Sequence, residues 1–188
     1  MAMVSDSFPK MPSFRLDGRR ALVTGAGRGI GMASALALAE AGADLTLVAR
    51  SQQELEDVAT ATRKHGVNAV TVCLDITDTE AVQAAIGKLE PYEILINSAG
   101  TNKPALLTET SMADLDAVMS LNVRSTFLIT RELVKGMVSA GKGGSIVTIS
   151  SQMGHVGGIK RSVYCASKHA VEGMTKALAW ELGSHGIR

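Results

Sequence analysis

The fold of this chain is decided by the stretch Arg20–Gly31, which reads Arg-Ala-Leu-Val-Thr-Gly-Ala-Gly-Arg-Gly-Ile-Gly. Its first five residues, Arg20–Thr24, form a short apolar segment typical of a buried strand. The glycines then lead into Ile30–Ala41, where an Ala- and Leu-rich composition and the closing Gly42 predict a helix with a glycine stop. A strand, a glycine turn and a helix in this order predict the first unit of a parallel α/β sheet.

The glycines of this turn predict a ligand-binding role for the backbone. Gly25 permits a sharp turn out of the strand, while Gly29 and Gly31 allow close approach of the backbone to a ligand and of the helix to the sheet. The helix N-terminus adds free N–H groups and a partial positive charge, which suit a pyrophosphate. We therefore predict a dinucleotide site whose contacts in this turn are Gly25, Arg28, Gly29, Ile30 and Gly31.

The rest of the chain continues the alternation of strands and helices. Further strands are predicted at 45–48, 69–74, 93–97 and 145–150, and further helices at 51–65, 77–89, 111–139 and 162–182. Strands joined by helices are parallel, and right-handed crossovers place the helices on both faces of the sheet. The predicted fold is α/β, a doubly wound parallel sheet of the Rossmann type. It looks C-terminally incomplete, because the chain ends at Arg188 where one more strand would normally follow.

Length and composition restrict the class of protein. The chain has 188 residues, a formal net charge of +1, 46% hydrophobic residues and 20% charged residues, which together suit one globular domain. A nearly neutral chain lacks the electrostatic footprint of a dedicated nucleic-acid binder. Its longest apolar run falls far short of the ~20 residues that a membrane span needs. We expect a protein with no nucleic-acid partner and no membrane partner.

The N-terminus, the cysteines and the histidines bear on location and metal binding. Residues 1–13 are polar and lack the apolar core of a secretory signal, so we expect a flexible leader before a domain at 14–188. Cys73 and Cys165 lie far apart without a CxxC pair, which predicts two reduced thiols in or near the core. The histidines form no metal-binding motif. We expect a cytoplasmic protein without a metal site.

The end of the second predicted strand bears on the choice of dinucleotide. NAD-binding folds usually place a carboxylate there to hold the ribose hydroxyls, whereas this chain has Ala49 and Arg50. Arg28 in the glycine turn supplies a second cation, and two guanidinium groups can hold a phosphate. The pattern favours NADP(H). NAD(H) is the alternative if both arginines are ordinary solvated residues.

A tyrosine and a lysine near the start of the last predicted helix indicate acid–base chemistry. Tyr164 and Lys168 are four positions apart, so they share one face of the helix. An isolated tyrosine is a poor acid–base catalyst at neutral pH, and an adjacent ammonium stabilises the phenolate. Ser151, after the fifth predicted strand, could hold a carbonyl oxygen beside the phenol, and Ser150 is the competing candidate.

Several motifs together make the chain resemble the short-chain dehydrogenase/reductase family, in its compact single-domain branch. The resemblance extends from about Phe14 to Arg188. Ser98 departs from the second asparagine of the family's Asn-Asn-Ala-Gly segment, and we expect a local change in support rather than loss of activity. The matching glycine turn, post-strand segment, helix asparagine, serine and YxxxK pair are Thr24–Gly31, Asn97–Gly100, Asn122, Ser151, Tyr164 and Lys168.

The resemblance implies catalytic roles for four residues. Tyr164 would be the general acid in reduction and the general base in oxidation, while Lys168 would stabilise its phenolate and hold the nicotinamide ribose. Ser151 would polarise the carbonyl, and Asn122 would hold a water that links Lys168 to solvent. The implied enzyme is an NADP(H)-dependent oxidoreductase that interconverts a carbonyl and a secondary alcohol by hydride transfer.

The resemblance also implies cofactor contacts beyond the glycine turn. They comprise a basic residue after the second strand, an adenine contact after the third, a segment after the fourth that supports the sheet and lines the adenosine and nicotinamide-ribose site, and the tyrosine–lysine pair. In this chain these residues are Arg50, Asp75, Ile76, Asn97, Ala99, Gly100, Tyr164 and Lys168.

The resemblance leaves the substrate open. Family members continue past the position of Arg188 with a strand, a substrate-covering loop and helix, and a final strand. A 3-oxoacyl thioester, a sugar or polyol ketone and a small cyclic ketone each fit as the small-molecule substrate. Enoyl reduction is disfavoured, because that branch usually spaces its tyrosine and lysine more widely. A dinucleotide-binding module without turnover is the alternative from another class.

The resemblance also implies self-association. Family members usually form a homodimer or homotetramer by packing two long helices against symmetry mates, and these correspond to the helices predicted at 111–139 and 162–182. The last of these helices has apolar residues on more than one side, as expected of a helix buried within the domain or between subunits.

Overall fold

A parallel five-stranded sheet forms the centre of the fold in the computed structural model, which describes residues 13–86 and 90–188. The strand order is β3-β2-β1-β4-β5, and each neighbouring pair is parallel. This topology confirms the doubly wound α/β prediction, whereas the predicted leader lies outside the described residues except for Ser13. The strands are β1 (Arg20–Thr24), β2 (Asp44–Ala49), β3 (Ala69–Cys73), β4 (Ile94–Asn97) and β5 (Ser145–Thr148).

Six α-helices accompany the sheet in the described part of the chain. The second begins after Ser51, whose side chain accepts a hydrogen bond from the backbone N–H of Glu54 and so caps the helix. The predicted end of the third helix, near Leu89, lies outside the described residues. The helices are α1 (Gly29–Glu40), α2 (Gln52–Arg63), α3 (Thr79–Ile86), α4 (Met112–Met119), α5 (Thr126–Ala140) and α6 (Ser162–Leu182).

A π-helical segment, Ser120–Ser125, separates α4 from α5 within the single long helix that the sequence predicted. The Ser125 hydroxyl donates to the carbonyl oxygen of Ser120, five residues earlier, at 2.8 Å, and Asn122 inside the segment is buried. Hydrophobic periodicity carries no signal for one extra residue in a helical turn, so this interruption was not predicted. Such π-helical turns occur frequently at functional sites.

The sheet is covered on both faces, so its central strands are buried from two sides. Ala21 and Val23 of β1 pack in the cluster that contains residues of α1 and α2, while Leu22 packs in the cluster that contains residues of α3, α5 and α6. All three side chains are fully buried. A buried leucine or valine contributes about 1.5–3 kcal/mol relative to exposure, so these alternating residues fix the position of β1 in the middle of the sheet.

Strand β5 lies at one edge of the sheet, and its two ends make different contacts. Ile187 forms a parallel bridge with Gly144, and the carbonyl oxygen of Arg188 accepts from the N–H of Ile146 at 2.8 Å. At its other end β5 stops two residues earlier than predicted. Its partner β4 ends at Asn97, opposite Thr148, and beyond that point the carbonyl oxygen of Ile149 accepts a hydrogen bond from the ammonium of Lys168.

The cysteines are both free, and one of them is not where the sequence placed it. Cys165 is half-buried, consistent with a near-core thiol, but Cys73 is exposed, so the prediction of a core or near-core position is wrong there. Cys73 is the last residue of the edge strand β3, and its thiol donates to the carbonyl oxygen of Arg50 at 3.3 Å. None of the described helices has the length and apolar character needed to cross a membrane.

Candidate active site

A cleft of about 440 Å³ lies at the carboxyl ends of β1, β2, β3 and β4, where open α/β sheets bind ligands. It brings together eight of the predicted cofactor residues. These are Gly25, Arg28, Ile30, Arg50, Asp75, Ile76, Ala99 and Gly100. The lining also includes residues that were not predicted as cofactor contacts, namely Gly27, Val48, Ala49, Ser51, Glu54, Leu74, Ser98 and Leu121.

The glycine turn is packed so closely that side chains are excluded. Gly25 has a φ of 64°, and a Cβ on it would lie 2.9 Å from the backbone N and Cα of Ala99. A Cβ on Gly31 would overlap the carbonyl oxygen of Gly25, whereas Gly29 has a φ of 57° and open space around it. Gly31 therefore supports the turn from behind and Gly29 leaves its surface free, a cradle that suits a pyrophosphate.

Three charged side chains line the same part of the cleft. Arg28 and Arg50 both border it, as the sequence predicted for a pair of phosphate-binding cations. Glu54 also borders it and packs on the glycine turn, because a Cβ on Gly27 would lie 2.7 Å from Glu54 Oε2. Glu54 lies in the first turn of α2, and the tertiary packing places this turn at the cleft.

Asp75 is held as a carboxylate at the far wall of the cleft. Its Oδ1 accepts from the backbone N–H of Thr77 at 2.9 Å and from the Thr77 hydroxyl at 2.8 Å. These hydrogen bonds, followed by the charge of Arg50, hold the pKa of Asp75 below its ordinary value. Arg124, which follows Asn122 in the π-helical segment, donates to the Thr77 carbonyl oxygen and the Thr79 hydroxyl and so anchors this loop.

Asn97 lies beneath the cleft rather than in its wall. Its side-chain amide donates to the hydroxyls of Thr130 at 2.9 Å and Thr148 at 3.4 Å, which ties β4 to α5 and β5. One strand away, the Thr24 hydroxyl accepts from the backbone N–H groups of Ser98 and Ala99 at 3.2 and 3.3 Å. Ser98 thus contributes to this contact through its backbone N–H.

Asn122 is the centre of a buried hydrogen-bond network. Its Oδ1 accepts from the backbone N–H of Thr101 at 2.8 Å, and its Nδ2 donates to the Thr101 carbonyl oxygen and to Ser167 Oγ at 2.9 and 3.0 Å. The Ser167 hydroxyl in turn donates to the carbonyl oxygen of Tyr164. The network joins the π-helical segment, the loop after β4 and α6, and neither Thr101 nor Ser167 was identified from the sequence.

Lys168 is buried at the inner end of this network. Its ammonium donates to the carbonyl oxygen of Ile149 at 2.7 Å and lies 5.7 Å from the centre of the Tyr164 ring. Burial lowers the pKa of Lys168, because removal from water disfavours the charged form. A Cβ on Gly100 would lie 3.3 Å from Asn122 Oδ1 and 3.9 Å from Lys168 Nζ, so the cleft wall reaches the lysine.

The two serines after β5 occupy different environments. Ser151 is half-buried and caps a short 3₁₀ turn, Gln152–Gly154, by accepting from the N–H of Met153 at 3.2 Å. Ser150 Oγ is fully buried, without a hydrogen bond of good geometry in the described part of the chain. Tyr164 is half-buried, and its hydroxyl is hydrogen-bonded to no described residue. Tyr164 and Lys168 are thus brought together as predicted, with Ser151 on the neighbouring segment.

Comparisons with known proteins match this geometry. Residues 19–188 match the family described as short chain dehydrogenase. L-xylulose reductase from Bos taurus is 38% identical over 174 residues, which are 93% of this chain and 70% of that protein. Gluconate 5-dehydrogenase from Gluconobacter oxydans is 37% identical over 179 residues, again 93% and 70% of the two chains. A solved gluconate 5-dehydrogenase from Burkholderia cenocepacia, in complex with NADP and tartrate, has a TM-score of 0.87 at 33% identity over 94% of this chain and 70% of that one.

The fold, the cleft and these relatives together define an NAD(P)-dependent oxidoreductase that acts on CH–OH groups. The chain belongs to the short-chain dehydrogenase family. Because the matched region spans about 70% of each relative, the family assignment rests on the part of the fold that carries the glycine turn, the asparagines, the serine and the tyrosine–lysine pair.

The lowered pKa of Lys168 predicts a pH dependence of stability. An unfolded lysine keeps the ordinary pKa of 10.5, so between the lowered pKa and 10.5 the unfolded chain binds more protons than the folded chain. The free energy of unfolding therefore rises with pH across this window, and below it the buried charge costs its full penalty. Urea unfolding from pH 7 upward should show this rise in the wild type, and Lys168→Met should lack it.

Lys142→Met is the matched control for this experiment, since Lys142 is exposed. Its unfolding free energy should follow the wild type at every pH. A difference between wild type and Lys168→Met that stays constant with pH would contradict the assigned desolvation of Lys168.

Proposed function

We propose that this chain is an NADP(H)-dependent oxidoreductase that interconverts a carbonyl and a secondary alcohol, with Tyr164 as the proton donor and acceptor, in one domain at 14–188. The observation that carries the proposal is the position of the Lys168 ammonium, 5.7 Å from the centre of the Tyr164 ring and next to Gly100 at the end of the cleft. A buried ammonium stabilises a neighbouring phenolate, and stabilised phenolates exchange protons near neutral pH.

In reduction, the bound cofactor supplies the hydride. Tyr164 donates a proton to the carbonyl oxygen as that oxygen gains negative charge, and Lys168 stabilises the phenolate left behind. Ser151 donates a hydrogen bond to the same oxygen. Its hydroxyl proton is free for this purpose, since within the described chain its oxygen is engaged only as an acceptor from Met153. The burial of Ser150 Oγ favours Ser151 over Ser150 for this role.

In this proposal Asn122 holds α6 at a fixed position relative to the loop that follows β4 beside the cleft. Its side chain uses both of its hydrogen-bonding ends on Thr101 and Ser167, and Ser167 is bonded to the backbone of Tyr164. A water held near Lys168, as the resemblance implied, would rest on this framework and would return protons to Tyr164 after each turnover.

The preference for NADP(H) rests on the charges of the cleft. Arg28 and Arg50 border it together, and the β2 end carries Ala49 where a ribose-binding carboxylate would repel a 2′-phosphate. Two guanidinium groups supply several donors in planar arrays that suit phosphate oxygens. The solved relative from Burkholderia cenocepacia binds NADP, which agrees with this assignment.

The substrate proposed from the relatives is a small sugar ketone or polyol. The two curated relatives are named for xylulose reduction and gluconate oxidation, and the solved relative holds tartrate. All three names concern short polyhydroxylated carbon chains. A screen should therefore begin with four- to six-carbon ketoses and their polyols before thioesters or cyclic ketones.

Replacement of Tyr164 by phenylalanine should remove turnover and spare cofactor binding. The phenol proton is lost while the ring remains, and positioned acid–base groups contribute about 10²- to 10⁴-fold to rate. We expect kcat for ketose reduction to fall by about that factor, with the NADPH dissociation constant from nicotinamide fluorescence changed less than about three-fold. Tyr92→Phe is the matched control, because Tyr92 is the other of the 2 tyrosines and packs in the core.

Undiminished ketose reduction by Tyr164→Phe would rule out the acid–base role. If the wild type binds NADPH but reduces no carbonyl, the chain is a dinucleotide-binding module, the alternative from another class of protein.

Replacement of Arg50 by aspartate should discriminate between the two cofactors. The change removes a phosphate contact and adds repulsion, and a charge-assisted hydrogen bond contributes about 1.5–3 kcal/mol. We expect NADPH affinity to fall by at least about ten-fold while NADH affinity changes little or improves. Arg63→Asp, at the far end of α2, should change neither. Equal losses for both cofactors would show that Arg50 does not read the 2′-phosphate.

We propose further that the chain forms a homodimer or homotetramer through α5 and α6. Trp180 on α6 is 91% exposed and Phe127 on α5 is 49% exposed, and Phe127 lines a cavity between the two helices together with Leu178. Sedimentation velocity at micromolar concentration should show a dimer or tetramer, and Trp180→Glu should shift it towards monomer. A monomeric wild type would refute this assembly.

A further inference from the structure

The position of Ser151 depends on the 3₁₀ turn that follows it. The N–H of Met153 donates to Ser151 Oγ at 3.2 Å, and the N–H of Gly154 donates to the Ser151 carbonyl oxygen at 2.8 Å. Both hydrogen bonds exist only while residues 152–154 keep their 3₁₀ conformation. The direction of the Ser151 hydroxyl is therefore set by whatever holds this turn in place.

Gly154 brings the turn into direct contact with α6. A Cβ on Gly154 would lie 2.9 Å from Ser150 Oγ, 3.0 Å from Glu172 Cγ and 3.2 Å from the carbonyl oxygen of Lys168. The turn thus rests on the same stretch of α6 that carries Lys168, with no room for a side chain between them. Gly154 itself offers no side chain to hold the turn there, whereas Cys165 of α6 contacts its neighbours, with Sγ 3.8 Å from Met153 Sδ and 3.7 Å from the carbonyl oxygen of Val156.

His155, the residue after Gly154, adds a side-chain contact between the turn and α6. His155 Nε2 lies 3.3 Å from Glu172 Oε1, and Glu172 stands one helical turn after Lys168. The Ser150 hydroxyl next to Glu172, and then the charges of His155, Lys176 and His169, hold the pKa of this carboxyl below its ordinary value. The Ser150 contact lies outside good hydrogen-bond geometry, so His155 is the partner with a defined contact to the carboxylate.

We propose that Glu172 and His155 are positioning residues for Ser151. Neither touches the reacting atoms. Their pair fixes the turn 152–154 on α6 and so holds the Ser151 hydroxyl towards the site in front of Tyr164. The catalytic part of this inference rests on the proposed function, but the structural part does not.

The structural part is tested by amide hydrogen exchange at Met153 and Gly154, the two N–H groups that bond to Ser151. In His155→Gln and Glu172→Gln both should exchange about two- to five-fold faster than in the wild type, the factor that an exposed ion pair supplies. His155→Lys restores a cation and should restore protection. Glu181→Gln, an exposed carboxylate elsewhere on α6, is the matched control and should leave these amides unchanged.

The catalytic part is tested by the profile of kcat for ketose reduction across the same variants. His155→Gln and Glu172→Gln should each lower kcat by about two- to five-fold with the KM for NADPH unchanged. His155→Lys should restore kcat towards the wild-type value, because the lysine again pairs with Glu172. Simple destabilisation of the fold would not be reversed by this substitution.

The exchange and kinetic measurements test the positioning role and the proposed function separately. Unchanged exchange at Met153 and Gly154 in both glutamine variants overturns the positioning role. Faster exchange with an unaltered kcat profile overturns its catalytic consequence. A wild type without any turnover refutes the proposed function, and the exchange measurement then still decides whether the pair holds the turn.

Discussion

The burial of one charge, the Lys168 ammonium, is the constraint on which the rest of the site depends. A buried ammonium is costly unless it is hydrogen-bonded, and here it donates a hydrogen bond to the carbonyl oxygen of Ile149. That carbonyl lies just past the end of β5, where the chain enters the segment that carries Ser151. One contact between α6 and the end of the sheet thus joins the strand end, the serine segment and the helix face that carries Tyr164 and Lys168.

The shape of the cleft depends on glycines, because the absence of a side chain lets backbone segments approach one another closely. Gly25 approaches the backbone of Ala99 so closely that no Cβ fits, and Gly100 leaves space beside Asn122 and Lys168. A surface formed by main chain presents N–H groups at fixed positions and loses little entropy when a ligand binds. The low aromatic content of the chain, 3%, agrees with a site that recognises phosphate and ribose more than flat apolar surface.

Features that depend on local sequence were predictable, whereas those that depend on long-range packing were not. The strands and the cleft residues Gly25, Arg28 and Arg50 follow from short patterns, since each pattern determines its own backbone. The π-helical segment around Asn122 and the arrival of Glu54 at the glycine turn depend on residues far apart in the chain. The same holds for exposed Cys73, whose hydrophobic strand pattern gives no sign that β3 lies at the sheet edge.

The π-helical segment also determines how far α5 is rotated about the helix axis relative to α4. One extra residue in a helical turn rotates everything that follows by about 100° with respect to a continuous α-helix. The rotation decides which residues of α5 face inward, and these include Ile129 and Leu133, which pack in one cluster with residues of the sheet, α3 and α6. Deletion of a single residue between 120 and 125 would leave this stretch helical but would rotate α5 about its axis by about 100° relative to α4. The π-helical segment thus sets the rotation of α5 relative to α4, so that α4 can contact α6 while α5 packs on the sheet.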